Sequence, residues 1–186
     1  MEHALALAVV SFLAYSAAGW LHETIYALVT ERRLRNPGLL RGPVLPIYGA
    51  GAVAAVVLLT PIATDPLLVF AGAVAVTTVV EYLGAVLLER LLGLRLWDYS
   101  DRWGNLHGRV CAVNSLGFGL LATVVVYLVD PALHTALVAL PAGVAEGIAT
   151  AGLVLVVLDL ALVVRRRRAE RRAARRLAGE RRASVA

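Results

Sequence analysis

Apolar residues fall into five long blocks, Leu5 to Thr30, Val44 to Pro61, Leu67 to Leu88, Val110 to Val129 and Ala142 to Val164, separated by stretches rich in arginine, proline and glycine. An α-helix needs about 20 apolar residues to cross a hydrocarbon core about 30 Å thick. The pattern therefore predicts an all-α membrane protein with five transmembrane helices. The segment VDPALHTALVALP is too short to form a span of its own, and is expected to form a short outer interfacial helix ending at Pro141, before the last span. Between the first two blocks and into the start of the second lie Pro37, Pro43 and Pro46 together with Gly38, Gly42 and Gly49. Proline lacks the N–H a helix needs and glycine favours turns, so a bent or re-entrant cytoplasmic loop is expected, its free carbonyls requiring partners from protein or water. The second long connection, Gly93 to Ser115, is polar and aromatic. Unpaired polar groups in hydrocarbon cost several kcal/mol each, which places this stretch at a membrane face or along a cavity.

Composition agrees with the pattern: the chain is 60% hydrophobic with a mean hydropathy of +0.77, against roughly 45–50% apolar in soluble domains. All 18 basic residues are arginine. Four lie between the first and second blocks (Arg32, Arg33, Arg35, Arg41), four between the third and fourth (Arg90, Arg95, Arg102, Arg109), and ten come after Val164. Arginine collects on the cytoplasmic side, so the N-terminus is expected outside, with both long loops and the C-terminus cytoplasmic in a bacterial cytoplasmic membrane. Residues 1–164 read as a transmembrane helical domain and 165–186 as an Arg-rich cytoplasmic tail held on anionic membrane lipids, at about 1 kcal/mol per arginine near the surface. No aromatics interleave the tail to stack bases, so no nucleic acid is expected. With no lysine the chain holds no P-loop and is not itself an ATPase. Cys111 is the single cysteine, which excludes an intrachain disulfide and a cysteine zinc cluster. Met-Glu-His supplies no basic lead-in to the first block, which is expected to stay in the mature chain. Neither Ser100 nor Ser115 has a histidine at helical spacing, so no catalytic residue is assigned and an enzyme is the lesser expectation.

Acidic residues inside the blocks change the picture. On the first helix Phe12, Ser16, Gly19, Glu23 and Tyr26 share a face, and Glu23 lies about 12 Å inside the Glu31 to Arg33 boundary. On the third, Thr77, Thr78, Glu81, Ala85 and Leu88 share a side, with Glu81 at nearly the same depth. Eight residues after each carboxylate comes a Glu-Arg pair, Glu31-Arg32 and Glu89-Arg90, and each hairpin continues to a glycine beside an arginine, Arg41-Gly42 and Gly108-Arg109. This reads as a degenerate parallel repeat, spans one and two against three and four, with a site at the interface. Glu23 and Glu81 are expected to meet there and share a proton, with Arg41 and Arg109 approaching from the loops and Tyr48, Asp98, Tyr99, Asn105 and Asn114 around them. The competing expectation is that Glu–Arg pairs merely tie the loops shut. His22 points about 100° away from Glu23, so no metal and no cofactor is expected. Trp97, Tyr99 and Trp103 also suit an interfacial aromatic belt. Glu146 and Asp159 point to opposite faces of the last helix and do not form one site.

The stretches GWLHETIY, NPGLLRGPVLPIYG, WDYSDRWGNLHGRV and NSLGFG resemble, in order and spacing, the bacterial membrane family known as ABC-transporter type IV, or CmpB-like. The family's pattern falls on Gly19, Trp20 and Glu23, on Asn36, Gly38, Gly42, Pro43, Pro46, Ile47, Tyr48 and Gly49, and on Glu81. It continues on Trp97 to Ser100, on Asn105, Gly108 and Arg109, and on Ser115 and Gly119. Pro37 stands where an arginine is commoner. The resemblance implies a permease-like subunit for a small solute or ion, working with a separate ATPase subunit or as a homo-oligomer. Two alternatives stay open: a membrane-embedded enzyme on a lipid or lipid-linked substrate, with Glu23, Glu81 or Asp98 as acid or base, and a non-catalytic scaffold.

Overall fold

The computed structural model describes residues 2–183, and among them every regular element is helical. Six α-helices succeed one another: α1 (Glu2–Thr30), α2 (Pro46–Leu59, extended by a 3-10 turn Thr60–Ile62), α3 (Pro66–Leu92), α4 (Ala112–Val124), α5 (Asp130–Val138) and α6 (Ala142–Ala183). Among the described residues, four helical stretches are long and apolar enough to cross a membrane, and Pro46–Ile62 is a shorter apolar helix. Leu83 and Leu87 of α3 and Leu155 and Leu158 of α6 lie exposed on the outside, the reverse of a soluble protein and the surface that lipid covers.

Local chemistry sets the ends of α3. The Asp65 carboxylate accepts from the Leu67 and Leu68 N–H groups at 3.0 and 3.1 Å, Pro66 occupies the first turn where its missing N–H is no loss, and Gly93 closes the helix in the left-handed conformation at φ 52°. The expected interfacial helix is found as α5, but it is not separate. It continues α4 through a π-helical turn, Val125–Val129. Pro131 cannot donate to the carbonyl four residues back, and the wider π turn just before it absorbs the missing bond, so the chain runs on as one helical stretch from Ala112 to Val138. Asp130 turns back to α1, where it accepts from the Tyr15 hydroxyl at 2.5 Å.

Two antiparallel pairs form the body, α1 with α2 and α3 with α4, joined by α2 packing on α3, while α6 lies along α1. Both pairs close on a glycine at the same relative place. Seven residues before Glu23, Ser16 meets Gly49 of α2, and seven residues before Glu81, Val74 meets Gly119 of α4. A Cβ on either glycine would collide with the facing helix, so both pairs approach as closely as backbones allow. The two helix pairs thus share a packing device.

The loop before α2 folds back into the bundle. The Trp20 indole N–H donates to Asn36 Oδ1 at 3.0 Å, and Trp20 lies eleven residues, about 16 Å, inside Glu31. Leu45 N–H donates to the Ser16 carbonyl at 2.9 Å, and the Asp159 carboxylate of α6 takes the N–H groups of Arg41 and Gly42 at 2.7 and 2.9 Å. These bonds answer the polar groups that prolines and glycines leave outside a helix. Asp159→Ala is expected to cost about 2–4 kcal/mol, because two amides lose their acceptor together. Hydrogen exchange followed by mass spectrometry should then show faster exchange at Arg41 and Gly42; unchanged rates would mean that the loop holds itself.

Candidate functional site

α1 and α2 build one half of a polar cluster. The Tyr48 ring lies directly on Gly19, where any Cβ would strike its Cβ and Cγ, and its hydroxyl donates to Glu23 Oε1 in a short hydrogen bond. Phe118 of α4 meets the ring edge-on at 5.6 Å, and His22 Nδ1 stands 3.5 Å from the hydroxyl. Tyr48 is in the first turn of α2, and Glu23 lies one helical turn beyond Gly19 toward the arginine-bearing face. The positive end of the α2 dipole therefore faces the Glu23 carboxylate. Glu23 itself is half-buried.

α3 supplies the other half. Val69, Ala73, Thr77, Glu81 and Ala85, spaced by four, form its buried face, and Glu81 is only 5% exposed. One of its carboxylate oxygens, Oε2, is buried without a hydrogen-bond partner, as is Thr78 Oγ1 three residues earlier. The Tyr99 side chain hydrogen-bonds to Glu81 and to Asn114 of α4, while Glu81 is close enough to Glu23 for the two charges to repel, and close enough to Tyr48 to interact. Burial, then the Glu81 charge, pushes the Tyr99 phenol above the ordinary tyrosine range, so it acts as a neutral donor.

Tyr99 is held there by its own loop, which is folded around Gly108. That glycine has φ 65°, and a Cβ on it would strike Arg95 and Ser100 and come within 2.8 Å of Asp98. Asp98 accepts from the Ser100 N–H at 2.9 Å and its hydroxyl at 2.6 Å, bonds that hold its carboxyl below the usual range. Asn105 donates to the carbonyls of Ser100 and Arg102 at 3.0 and 2.9 Å and accepts from Gly108 N–H at 3.1 Å. Tyr99 N–H donates to the Gly108 carbonyl at 2.8 Å. Asp98 and Asn105, expected beside the carboxylates, instead shape the loop that delivers Tyr99 to them.

The arginines also differ from expectation. Arg109 does not reach Glu23 or Glu81. Its Nε and Nη2 both bind Glu89 Oε2, at 3.1 and 2.6 Å, and Nη1 donates to the Tyr82 hydroxyl at 3.1 Å. Glu89 lies two turns nearer the face from which Arg109 comes, a distance the guanidinium arm does not span to Glu81. Arg95 sits 3.8 Å from the same Glu89 and 3.2 Å from Asp98. Arg41 is exposed and bonds through its backbone N–H to Asp159. Arg35 is clasped on Glu31 at 2.9 and 3.0 Å, close enough to Glu23 only to feel its charge. Among the described residues, no arginine side chain bonds to Glu23 or Glu81. The Arg109–Glu89 pair is about a quarter exposed on each side, at 24% and 27%. A double-mutant cycle on it should give a small favourable coupling, and Arg109→Lys should lose most of it because the forked contact goes. A coupling indistinguishable from zero would remove the tie.

Two carboxylates thus share a bundle interior with one phenol each and no cationic side chain. A charge buried without a positive partner costs several kcal/mol in lost hydration, and neither carboxylate has such a partner. The polar cluster joins Glu23, Tyr48, Glu81, Tyr99 and Asn114 of the expected set. Thr78, Phe118 and the Glu89 partner of Arg109 lie outside that set.

A family model described as "Putative ABC-transporter type IV" matches residues 10–164, from the first third of α1 to the point where the arginine run of α6 begins. Comparison with curated proteins and with solved structures returned no match.

Proposed function

The chain belongs to this family, and on that premise we propose that it is a permease-like subunit passing a small solute or ion through the polar site between α1, α2 and α3. The observation that carries the reading is Glu81, an almost fully buried carboxylate with one oxygen unpartnered beside a second carboxylate. A purely structural tie would satisfy such a group; one kept open at membrane depth suits a group that gains and loses a partner. The broken approach to α2 supports the same reading, since a helix that starts inside the membrane directs its N-terminus at the site.

The two loops and the Arg-rich end of α6 face the cytoplasm of a bacterial cell in this reading, by the placement of arginine. The transmembrane domain ends at residue 164, and from residue 165 to residue 183 the Arg-rich continuation of α6 lies on anionic lipid; residues 184–186 of the expected tail lie outside the described residues. A chain without lysine has no P-loop, so hydrolysis belongs to a separate ATPase subunit docked on those loops, or the chain works as a homo-oligomer. The test is ion flux in proteoliposomes under imposed gradients, read with pH- and potential-sensitive dyes. Glu23→Gln and Glu81→Gln should each lower flux about tenfold or more while the protein remains folded. Full flux in both variants would remove the proposal.

A further inference from the structure

We propose that Glu81 is the proton-binding group of the site, loaded through the Tyr99 phenol from the arginine-bearing face. This rests on the transport reading above and names the species that the site takes. The two carboxylates are not equivalent. Glu23 has the Tyr48 hydroxyl and faces the positive end of α2. Glu81 lies in the middle of α3, away from either end of that helix, with one oxygen and the nearby Thr78 hydroxyl both buried and unpartnered.

The groups that face Glu81 come from three sides. α1 brings Glu23, and behind it His22, which reaches only Tyr48; α2 brings Tyr48; the loop brings Tyr99 with Cys111 beside it. None of these contacts supplies a positive side chain, because Arg109 and Arg95 are bound to Glu89 and Arg41 is turned outward. Negative charge that no side chain balances is balanced by something that enters. No cluster of three His, Cys, Asp or Glu that could hold a metal exists among the described residues, which favours a proton over a divalent cation.

Tyr99 is placed to deliver it. Its backbone is pinned to the loop through the Gly108 carbonyl, and its phenol bridges Glu81 and Asn114. In loading, the phenol gives its proton to the Glu81 carboxylate as it takes one from a hydronium ion at the loop. One O–H bond forms on Glu81, one is broken and remade on Tyr99, and one is broken on hydronium, which leaves as water.

Infrared difference spectra in lipid, compared in ordinary and heavy water, read this directly and without flux. A deuterium-sensitive carboxylic acid C=O band should be present at neutral pH in the wild type and in Glu23→Gln, and missing in Glu81→Gln. No such band in the wild type, or its survival in Glu81→Gln, overturns the assignment. Should Glu81→Gln not fold, Glu81→Asp must shift the band, and an unshifted band overturns it equally. Loss of the band on adding sodium or potassium would overturn the proton in favour of a metal cation. Tyr99→Phe should slow exchange of the band by about tenfold or more; an unchanged rate overturns the route. A protein that shows the band and carries no flux would sink the transport reading while leaving the proton on Glu81, so the two fail separately.

Discussion

Gly49→Ala is expected to pull α2 away from α1 and to cost about 3 kcal/mol. The new Cβ would strike the Ser16 hydroxyl and lie 2.6 Å from the Phe12 carbonyl. Ser16 is fully buried, and its hydroxyl already donates to that same carbonyl at 2.7 Å, so it has nowhere to turn. The carbonyl is helix backbone and moves only with α1. Overpacking of this kind typically costs about 1–3 kcal/mol, and here it also disturbs the Leu45 to Ser16 bond at 2.9 Å that anchors the re-entrant loop. The controls are Gly117→Ala and Gly143→Ala, where a Cβ meets nothing within 4 Å. Alanine is the better helix former by about 1 kcal/mol, so both should be neutral or slightly stabilising. Unfolding in detergent by heat or denaturant would compare them. A Gly49→Ala variant as stable as the controls would show that the close approach of α1 and α2 carries no weight.

The contrast between those glycines shows what a sequence can and cannot disclose. The helical blocks and the broken approach to α2 come from local physics: apolar length for the first, and missing or misdirected backbone donors for the second. The equal depth of Glu23 and Glu81 is also legible, since helical rise is constant. Pairing is not. Motif position alone offers Arg109 to Glu81, but depth places Glu89 nearer to it, and the same arithmetic applied to the arginine finds the partner. Asp159 carries no such signal, because its partners are two backbone amides that any residue could present. Asn105 and Asp98 read as site residues because they are polar and lie in a motif. The positive φ at Gly108 and the contacts crowding it explain that motif as loop construction, with Tyr99 as the side chain that the turn delivers to Glu81.

Tyr48→Phe should reduce flux about tenfold or more while leaving the fold intact, and Gly19→Ala should reduce flux as far but destabilise the protein as well. Both act on the Tyr48 to Glu23 hydrogen bond, by different routes. The phenylalanine ring still fills the space over Gly19 and still meets Phe118 edge-on, so packing survives and only the donor is lost. A buried acceptor left without its donor costs about 1–3 kcal/mol, and that cost falls on Glu23, the α1 carboxylate of the proposed site. Alanine at position 19 keeps the hydroxyl but drives the ring off α1, because its Cβ would overlap the ring carbons. The bond is then broken by displacement, and the helix pair loosens with it. Flux in proteoliposomes and unfolding in detergent, measured on both variants, separate the two contributions. Tyr48→Phe with wild-type flux would show that the hydroxyl serves packing alone, and would leave Glu81 and Tyr99 to carry the site without the α1–α2 half.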